Sequence, residues 1–167
     1  MGKLIALMLA AIGCGPTWHE ARSPDISPPV ASMCVWLPAA TRPAAISAVQ
    51  MWARVILPDL RLVVSSGLDC DYIITEVAST PDADTATLAY TSDVGGHSVR
   101  LVTGRYEPDT LGIVLHELGH VFGAQHVAGT LMAPDWGRGM VCPDAATVVQ
   151  VAAWNHWKLS DLGYCYL

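Results

Sequence analysis

Three histidines and a glutamate between residues 116 and 126 have the types and spacing of a metal site. His116 and His120 are four residues apart, so on a helix both imidazoles project from the same face. Gly123 favours a left-handed end to that helix, after which a sharp turn brings His126 back to the same point. Three neutral nitrogen ligands suit one tetrahedral Zn2+ and leave its fourth position open, as a catalytic zinc requires.

Glu117 supplies the chemistry expected beside such an ion. From its place next to the first histidine, its carboxylate can reach a water molecule at the metal and act as a general base. The competing interpretation gives the three histidines a structural role without any metal. Their spacing and the neighbouring carboxylate favour the metal site. The remaining histidines, which we interpret as bystanders, are His19, His97 and His156.

The helix that carries this site has clear sequence boundaries. Asp109 or Thr110 can cap its first turn, and apolar residues recur at helical spacing up to Gly123. Upstream, the hydrophobic pattern predicts strands at residues 33–37, 60–64, 72–77, 88–91 and 98–103 and a helix at 43–55. The last two strands are expected to pair through Gly95 and Gly96.

The order of these elements predicts an α+β fold. We expect a mixed, twisted sheet of about five strands with a backing helix and an active-site helix. The backing helix should bury Ile46, Val49, Trp52 and Ile56. A small C-terminal subdomain follows, with one helix over about residues 144–157. Its expected buried side is Val148, Val151, Ala152 and Trp154.

The segment 116–126 resembles the extended zinc-binding motif of the metzincins, a clan of zinc endopeptidases. A second mark of that clan is a tight turn whose methionine forms an apolar floor beneath the zinc. Residues 129–134 read Gly-Thr-Leu-Met-Ala-Pro and are similar to this turn, with Met132 in the floor position. Ordinary core packing is the alternative for a lone methionine. The resemblance implies a metzincin-type zincin fold.

Within the clan, the sequence is most similar to the matrixins and matrixin-like bacterial proteins. Residues 115–123 resemble their active-site helix, and residues 132–134 resemble their turn. Three departures are visible. Val127 follows the third histidine where matrixins usually have serine, and the loop before the turn is shorter than usual. Pro134 stands where astacins and serralysins carry a zinc-facing tyrosine, so that auxiliary group should be missing.

The resemblance implies hydrolysis of peptide bonds in a peptide or protein substrate. Leu88, Ala89 and Tyr90 resemble the edge strand along which matrixin substrates lie, and an extended substrate would add main-chain hydrogen bonds there. Trp136, in the wall that follows the turn, should shape a substrate pocket. The main alternative is a lipid-anchored zinc-binding or adhesion module with a degenerate active site, which the intact Glu117 disfavours.

Composition and charge narrow the range of partners. A chain of 167 residues suits one domain, and 52% hydrophobic with 14% charged residues suits a well-buried core. The formal net charge is −6 and the basic residues form no stripe, which argues against nucleic acid. A metal-handling protein should carry further exposed runs of His, Asp or Glu, and the sequence has none. We expect a monomer.

The first thirteen residues have the pattern of an export signal, with an apolar run over residues 4–12. Gly13 directly before Cys14 resembles a bacterial lipoprotein signal, in which the cysteine is lipidated. The protein would then be membrane-anchored and face the periplasm or the cell exterior. An ordinary cleaved signal and a secreted protein are the alternative. Residues 14–32 are proline-rich and expected to be a mobile tether, which leaves 33–167 as the catalytic domain.

The cysteine count agrees with lipid at Cys14. The other four of the five cysteines then form an even set that fits two disulfides in an oxidising compartment. Four cysteines allow three connectivities, and the sequence leaves these open. One of them pairs Cys34 with Cys70 and Cys142 with Cys165, which would tie two N-terminal strands together and close off the C-terminal segment.

Overall fold

The computed structural model of the chain describes residues 17–23, 27–81, 85–92, 94–134 and 141–166. The predicted export signal, Cys14 and Trp136 lie outside these residues. The described elements, in chain order, are β1 (Thr17–His19), β2 (Val30–Trp36), α1 (Arg42–Ile56), β3 (Arg61–Ser65), β4 (Tyr72–Val77), β5 (Ala89–Thr91), β6 (Ser98–Val102), a 3₁₀ turn (Glu107–Asp109), α2 (Thr110–Val121), α3 (Ala145–Asn155), a second 3₁₀ turn (Leu159–Asp161) and β7 (Tyr164–Tyr166).

A five-stranded mixed sheet in the order β3-β2-β4-β6-β5 carries the fold. Strands β3, β2, β4 and β6 run parallel, and β5 pairs antiparallel with β6, with Thr91 opposite Val99. Between β5 and β6 the chain turns through Gly95, whose φ of 75° glycine adopts without a steric penalty. The predicted mixed sheet is confirmed, and strand β5 lies at its edge.

Helix α1 backs this sheet and packs against β2, β3 and α2. Val49, Trp52 and Ile56 are buried as their spacing predicts, whereas Ile46 is partly buried. The Trp52 indole N–H donates a hydrogen bond to the Leu115 carbonyl at 3.0 Å. The largest side chain of the core therefore has its polar atom satisfied on the helix that carries the metal motif.

Helix α2 lies at the centre of the core, in agreement with a sequence that is apolar on nearly every side. Of the two candidate caps, Asp109 is the one that acts, since its carboxylate accepts a hydrogen bond from the Gly112 N–H at 3.3 Å. Gly123, just past the end of the helix, has a φ of 98°. The predicted start and left-handed end of this helix are confirmed.

Helix α3 forms the small C-terminal part with β7. Three residues of its predicted buried side are indeed buried: Val148, Val151 and Ala152. The prediction that Trp154 shares this side is wrong, because the residue is 52% exposed. Its ring lies against Gly123 at the end of α2, so one part of the indole packs while the rest faces solvent.

The two ends of the described chain meet. Strand β1 pairs antiparallel with β7, and the Arg54 guanidinium lies 4.5 Å from the centre of the Trp18 ring while forming an ion pair with Glu20. The prediction of a mobile tether is therefore wrong for residues 17–19, and β2 already begins at Val30. Backbone pairing with a distant segment holds residues that have no periodic pattern of their own.

Two disulfides are present, Cys34–Cys70 and Cys142–Cys165. The first joins β2 to the segment before β4, and the second joins the segment before α3 to β7. This is the connectivity singled out above, and both bonds suit a protein that matures in an oxidising compartment. Among the helices that the structure describes, none is long and apolar enough to cross a membrane.

Candidate metal centre and catalytic cleft

The side chains of His116, His120 and His126 converge on one point. One nitrogen from each lies within 4.8 Å of the others, and His126 Nε2 is 3.3 Å from His116 Nε2 and 3.1 Å from His120 Nε2. Two nitrogens bound to a single tetrahedral zinc at about 2.0–2.1 Å are roughly 3.3 Å apart. The spacing of the donor atoms therefore fits one zinc ion.

Hydrogen bonds at Nδ1 of His116 and His120 select the tautomer of each ring that can bind a metal. His116 Nδ1 lies 2.8 Å from the Leu131 carbonyl, and His120 Nδ1 lies 2.8 Å from the Ala124 carbonyl. Because a carbonyl can only accept, each Nδ1 carries the hydrogen and each Nε2 presents a lone pair. If His126 Nε2 carried a hydrogen, it could donate to only one of the two neighbouring Nε2 atoms. A cation among the three nitrogens accounts for both short contacts.

Burial also favours the neutral form of the His116 and His120 rings. It lowers the pKa of His116 to about 4, although the hydrogen bond to Leu131 acts in the opposite direction. The pKa of His120 is lowered as well, chiefly by burial. Metal ligation requires neutral imidazole, so the protein environment and the donor set favour the same protonation state.

Glu117 is buried beside the three histidines and lines the same cleft. Burial raises the pKa of its carboxyl to about 7, while a hydrogen bond from Thr91 acts to lower it. The Thr91 hydroxyl donates to Glu117 Oε2 at 2.8 Å. A carboxyl group placed next to a three-histidine site, with its charged form disfavoured by burial, can both take and return a proton.

Met132 is fully buried and in contact with helix α2 at Gly119, the residue before the second histidine. The turn that presents it closes through a hydrogen bond from the Val127 N–H to the Met132 carbonyl at 2.8 Å. Gly129 takes a φ of 75° in this turn, and the Thr130 hydroxyl accepts a hydrogen bond from the Met132 N–H at 3.0 Å. The methionine therefore packs against the helix between His116 and His120, and its role as a floor beneath a metal stays a prediction.

Asp144 is a residue of this site that the sequence motifs do not reveal. Its buried carboxylate accepts a hydrogen bond from the Leu131 N–H at 2.7 Å and caps α3 through the Thr147 N–H at 3.0 Å. The carbonyl of Leu131 in turn faces His116. The sequence signal is that of an ordinary helix cap, and the link to the first histidine exists only in three dimensions.

A cleft of about 690 Å³ runs past the histidines between strand β5 and the methionine turn. Leu88, Ala89 and Tyr90 line it, as do Ala133 and Pro134 at the end of the methionine turn. The edge-strand residues selected from the sequence therefore lie beside the metal centre. Trp136, assigned to the wall after the turn, is outside the described residues, so its place at the cleft stays a prediction.

The other histidines lie elsewhere. His97 is exposed and stacks on Tyr72, with ring centres 5.2 Å apart. His19 stacks on Tyr164 in the pair of terminal strands, and His156 ends helix α3 in a left-handed conformation. Within the described chain, the metal-binding cluster consists of His116, His120 and His126.

Comparisons with known proteins add little to this geometry. No family model matches the sequence, and no curated protein does. Among solved structures, the chain is similar to high choriolytic enzyme 1, a hatching-enzyme zinc-protease from the medaka fish Oryzias latipes. The two share 21% identity, with 58% of this chain and 44% of that chain covered and a TM-score of 0.39. The chain thus spans less than half of that protein.

Proposed function

We propose that the chain is a zinc-dependent endopeptidase of the metzincin clan, most similar to the matrixins in its motifs. The observation that carries the proposal is the convergence of three imidazole nitrogens, two of them held in the metal-binding tautomer, beside a buried glutamate. A purely structural metal site would not require that carboxylate. The open cleft beside the site supports a substrate of extended shape.

Each residue of the site has a separate role in the proposed hydrolysis of a peptide bond. His116, His120 and His126 would hold one Zn2+, which acidifies a water molecule and polarises the scissile carbonyl. Glu117 accepts the proton of the attacking water and returns it to the leaving amine. Met132, buried against α2 at Gly119, would form an apolar floor beneath the ion.

The substrate is proposed to be a peptide or protein segment in extended conformation. Strand β5 is the edge strand of the sheet, so the backbone on its outer side is placed to pair with such a segment. Leu88, Ala89 and Tyr90 would lie along the bound chain, with Trp136 on the far wall. In this arrangement the scissile bond would lie between β5 and the metal centre.

The cellular address is a separate proposal. We infer export of the chain and attachment to a membrane through lipid at Cys14, from the apolar run and the small residue before that cysteine. The two disulfides support an oxidising compartment. Expression of the full chain and of Cys14→Ala, followed by membrane fractionation, tests the anchor. Equal membrane content in the two would contradict it.

A paired measurement of metal and turnover tests the enzyme proposal. The purified protein should contain about one zinc per chain and cleave members of a quenched-fluorescent peptide library. A chelator should abolish cleavage, and added Zn2+ should restore it. Bound zinc without cleavage would instead support the binding or adhesion module, and a protein that binds no zinc would refute both.

A further inference from the structure

Thr91 connects the edge strand of the sheet to the glutamate of the metal helix. It is the last residue of β5, and its hydroxyl donates to Glu117 Oε2 at 2.8 Å, with the Glu117 carbonyl oxygen 3.2 Å away. Four residues later, the Gly95 N–H donates to the His120 carbonyl at 2.8 Å. The segment that leaves β5 is therefore attached to α2 at two points, both next to the candidate site.

The contact has consequences for the carboxylate. A glutamate side chain has three rotatable bonds, and a bond to one oxygen restricts the orientation of the whole group. With Oε2 engaged by Thr91, Oε1 is the oxygen left to exchange a proton in the cleft. A base that must meet its proton within hydrogen-bonding distance benefits directly from such restraint.

The hydrogen bond from Thr91 to Glu117 also links the strand that would bind substrate to the general base. Strand β5 is the edge on which an extended substrate would pair, and Thr91 belongs to it. Pairing of a substrate with β5 would order that strand and, through the Thr91 hydroxyl, the carboxylate of Glu117. Peptide binding and alignment of the base would then be linked by one side chain.

We propose that Thr91 is a positioning residue that orients the Glu117 carboxylate from the substrate-binding strand. The inference rests on the proposed peptidase function. It assigns to Thr91 an effect on turnover exerted through Glu117. A threonine with a purely structural role would support only the packing of β5 on α2.

Three variants of the full-length, zinc-loaded protein test the role. Thr91→Val keeps the shape and removes the donor, and Thr91→Ser keeps the donor. Thr103→Val, directly after β6, removes a hydroxyl that bonds to the carbonyl of Val77, the last residue of β4. We expect Thr91→Val to lower kcat by about 10- to 100-fold, with KM changed less than about threefold. Thr91→Ser should restore most of kcat, and Thr103→Val should match the unmodified protein.

Two further readouts separate positioning from support of the fold. Zinc content and melting temperature of Thr91→Val should stay close to those of the unmodified protein. In a Glu117→Ala background, Thr91→Val should cause no further loss of residual activity, because its partner is already missing. Peptide affinity, measured in that inactive background, should also be unchanged.

These measurements distinguish failure of the proposed peptidase function from failure of the proposed role of Thr91. If the unmodified protein shows no chelator-sensitive cleavage, the proposed peptidase function fails and the role of Thr91 fails with it. If the protein is active and Thr91→Val has the same kcat, the positioning role alone is refuted. Loss of zinc or of folding in Thr91→Val without rescue by Thr91→Ser, or an additive loss in the Glu117→Ala background, would also refute it.

Discussion

Gly119 faces Met132 so closely that a Cβ on Gly119 would lie 2.3 Å from the Met132 sulfur and 3.1 Å from its terminal methyl. The first residue belongs to the metal helix and the second to the turn that follows it. The glycine between the two ligand histidines is therefore needed for space, since its backbone is helical and any residue could adopt it. This contact joins the two sequence motifs into one site.

Replacing Gly119 with alanine should displace Met132. Because the core around the methionine is closely packed, we expect Gly119→Ala to cost about 1–3 kcal/mol in the free energy of unfolding and to weaken zinc binding. Chemical denaturation and zinc titration measure the two effects. The double variant with Met132→Ala should be less destabilised than the sum of the single changes, and simple additivity would contradict a direct clash.

Removing the third histidine should abolish the metal site. We expect His126→Ala to lose bound zinc and peptidase activity together, because two imidazoles are a poor zinc site. Zinc content of the purified protein is the measurement. His97→Ala is the control, since that ring is exposed and stacks on Tyr72, and it should keep both properties. An unchanged zinc content in His126→Ala would rule out the three-histidine centre.

Removing the Glu117 carboxylate should lower turnover and leave metal binding unchanged. We expect Glu117→Ala to retain zinc and to lose about 10²- to 10⁴-fold in kcat, the range typical of general acid–base catalysis. Steady-state kinetics beside a metal assay provide the comparison. Activity near that of the unmodified protein would disprove the assignment of Glu117 as the base.

Asp144 should support the site from a distance. We expect Asp144→Ala to weaken zinc affinity by about 10- to 100-fold, because it releases the N–H of Leu131, the residue whose carbonyl orients His116. It should also cost about 1 kcal/mol through loss of the α3 cap. Thr147→Val is a matched control that removes a hydroxyl bonded to the same carboxylate at 2.8 Å and leaves Leu131 bound. Equal zinc affinity in the two variants would exclude a link through Leu131.

Tyr106 should make the fold sensitive to alkali. Its buried hydroxyl bonds to Glu76 and to Thr41, and burial with the Glu76 carboxylate raises its pKa from 10.0 to about 12. Since the folded state retains the proton more strongly, this stability is complete below about pH 10 and declines as pH rises towards 12. Denaturation at a series of alkaline pH values should show the decline in the unmodified protein and a flatter profile in Tyr106→Phe.

Local patterns in the sequence are sufficient to predict most of the elements. Helix caps and stops such as Asp109 and Gly123 act within one turn, so their effect is visible in neighbouring residues. The spacing of His116 and His120 likewise follows from the geometry of a single helix. For the same reason the strands of the mixed sheet and the backing helix could be anticipated, whereas the floor position of Met132 is an expectation from the resemblance to the metzincins.

Contacts between distant segments are decided by the tertiary structure alone. The pairing of residues 17–19 with the C-terminal strand, the Asp144 bond to Leu131 and the Thr91 bond to Glu117 each join parts of the chain with no shared pattern. Trp154 shows the same limit, because its helix spacing predicts burial while the end of α2 covers only part of its ring. Residue types and spacing are enough to identify the groups that can bind the metal, because those groups lie on one helix and the turn after it. The groups that hold them in place come from the packing of sheet, turn and C-terminal helix.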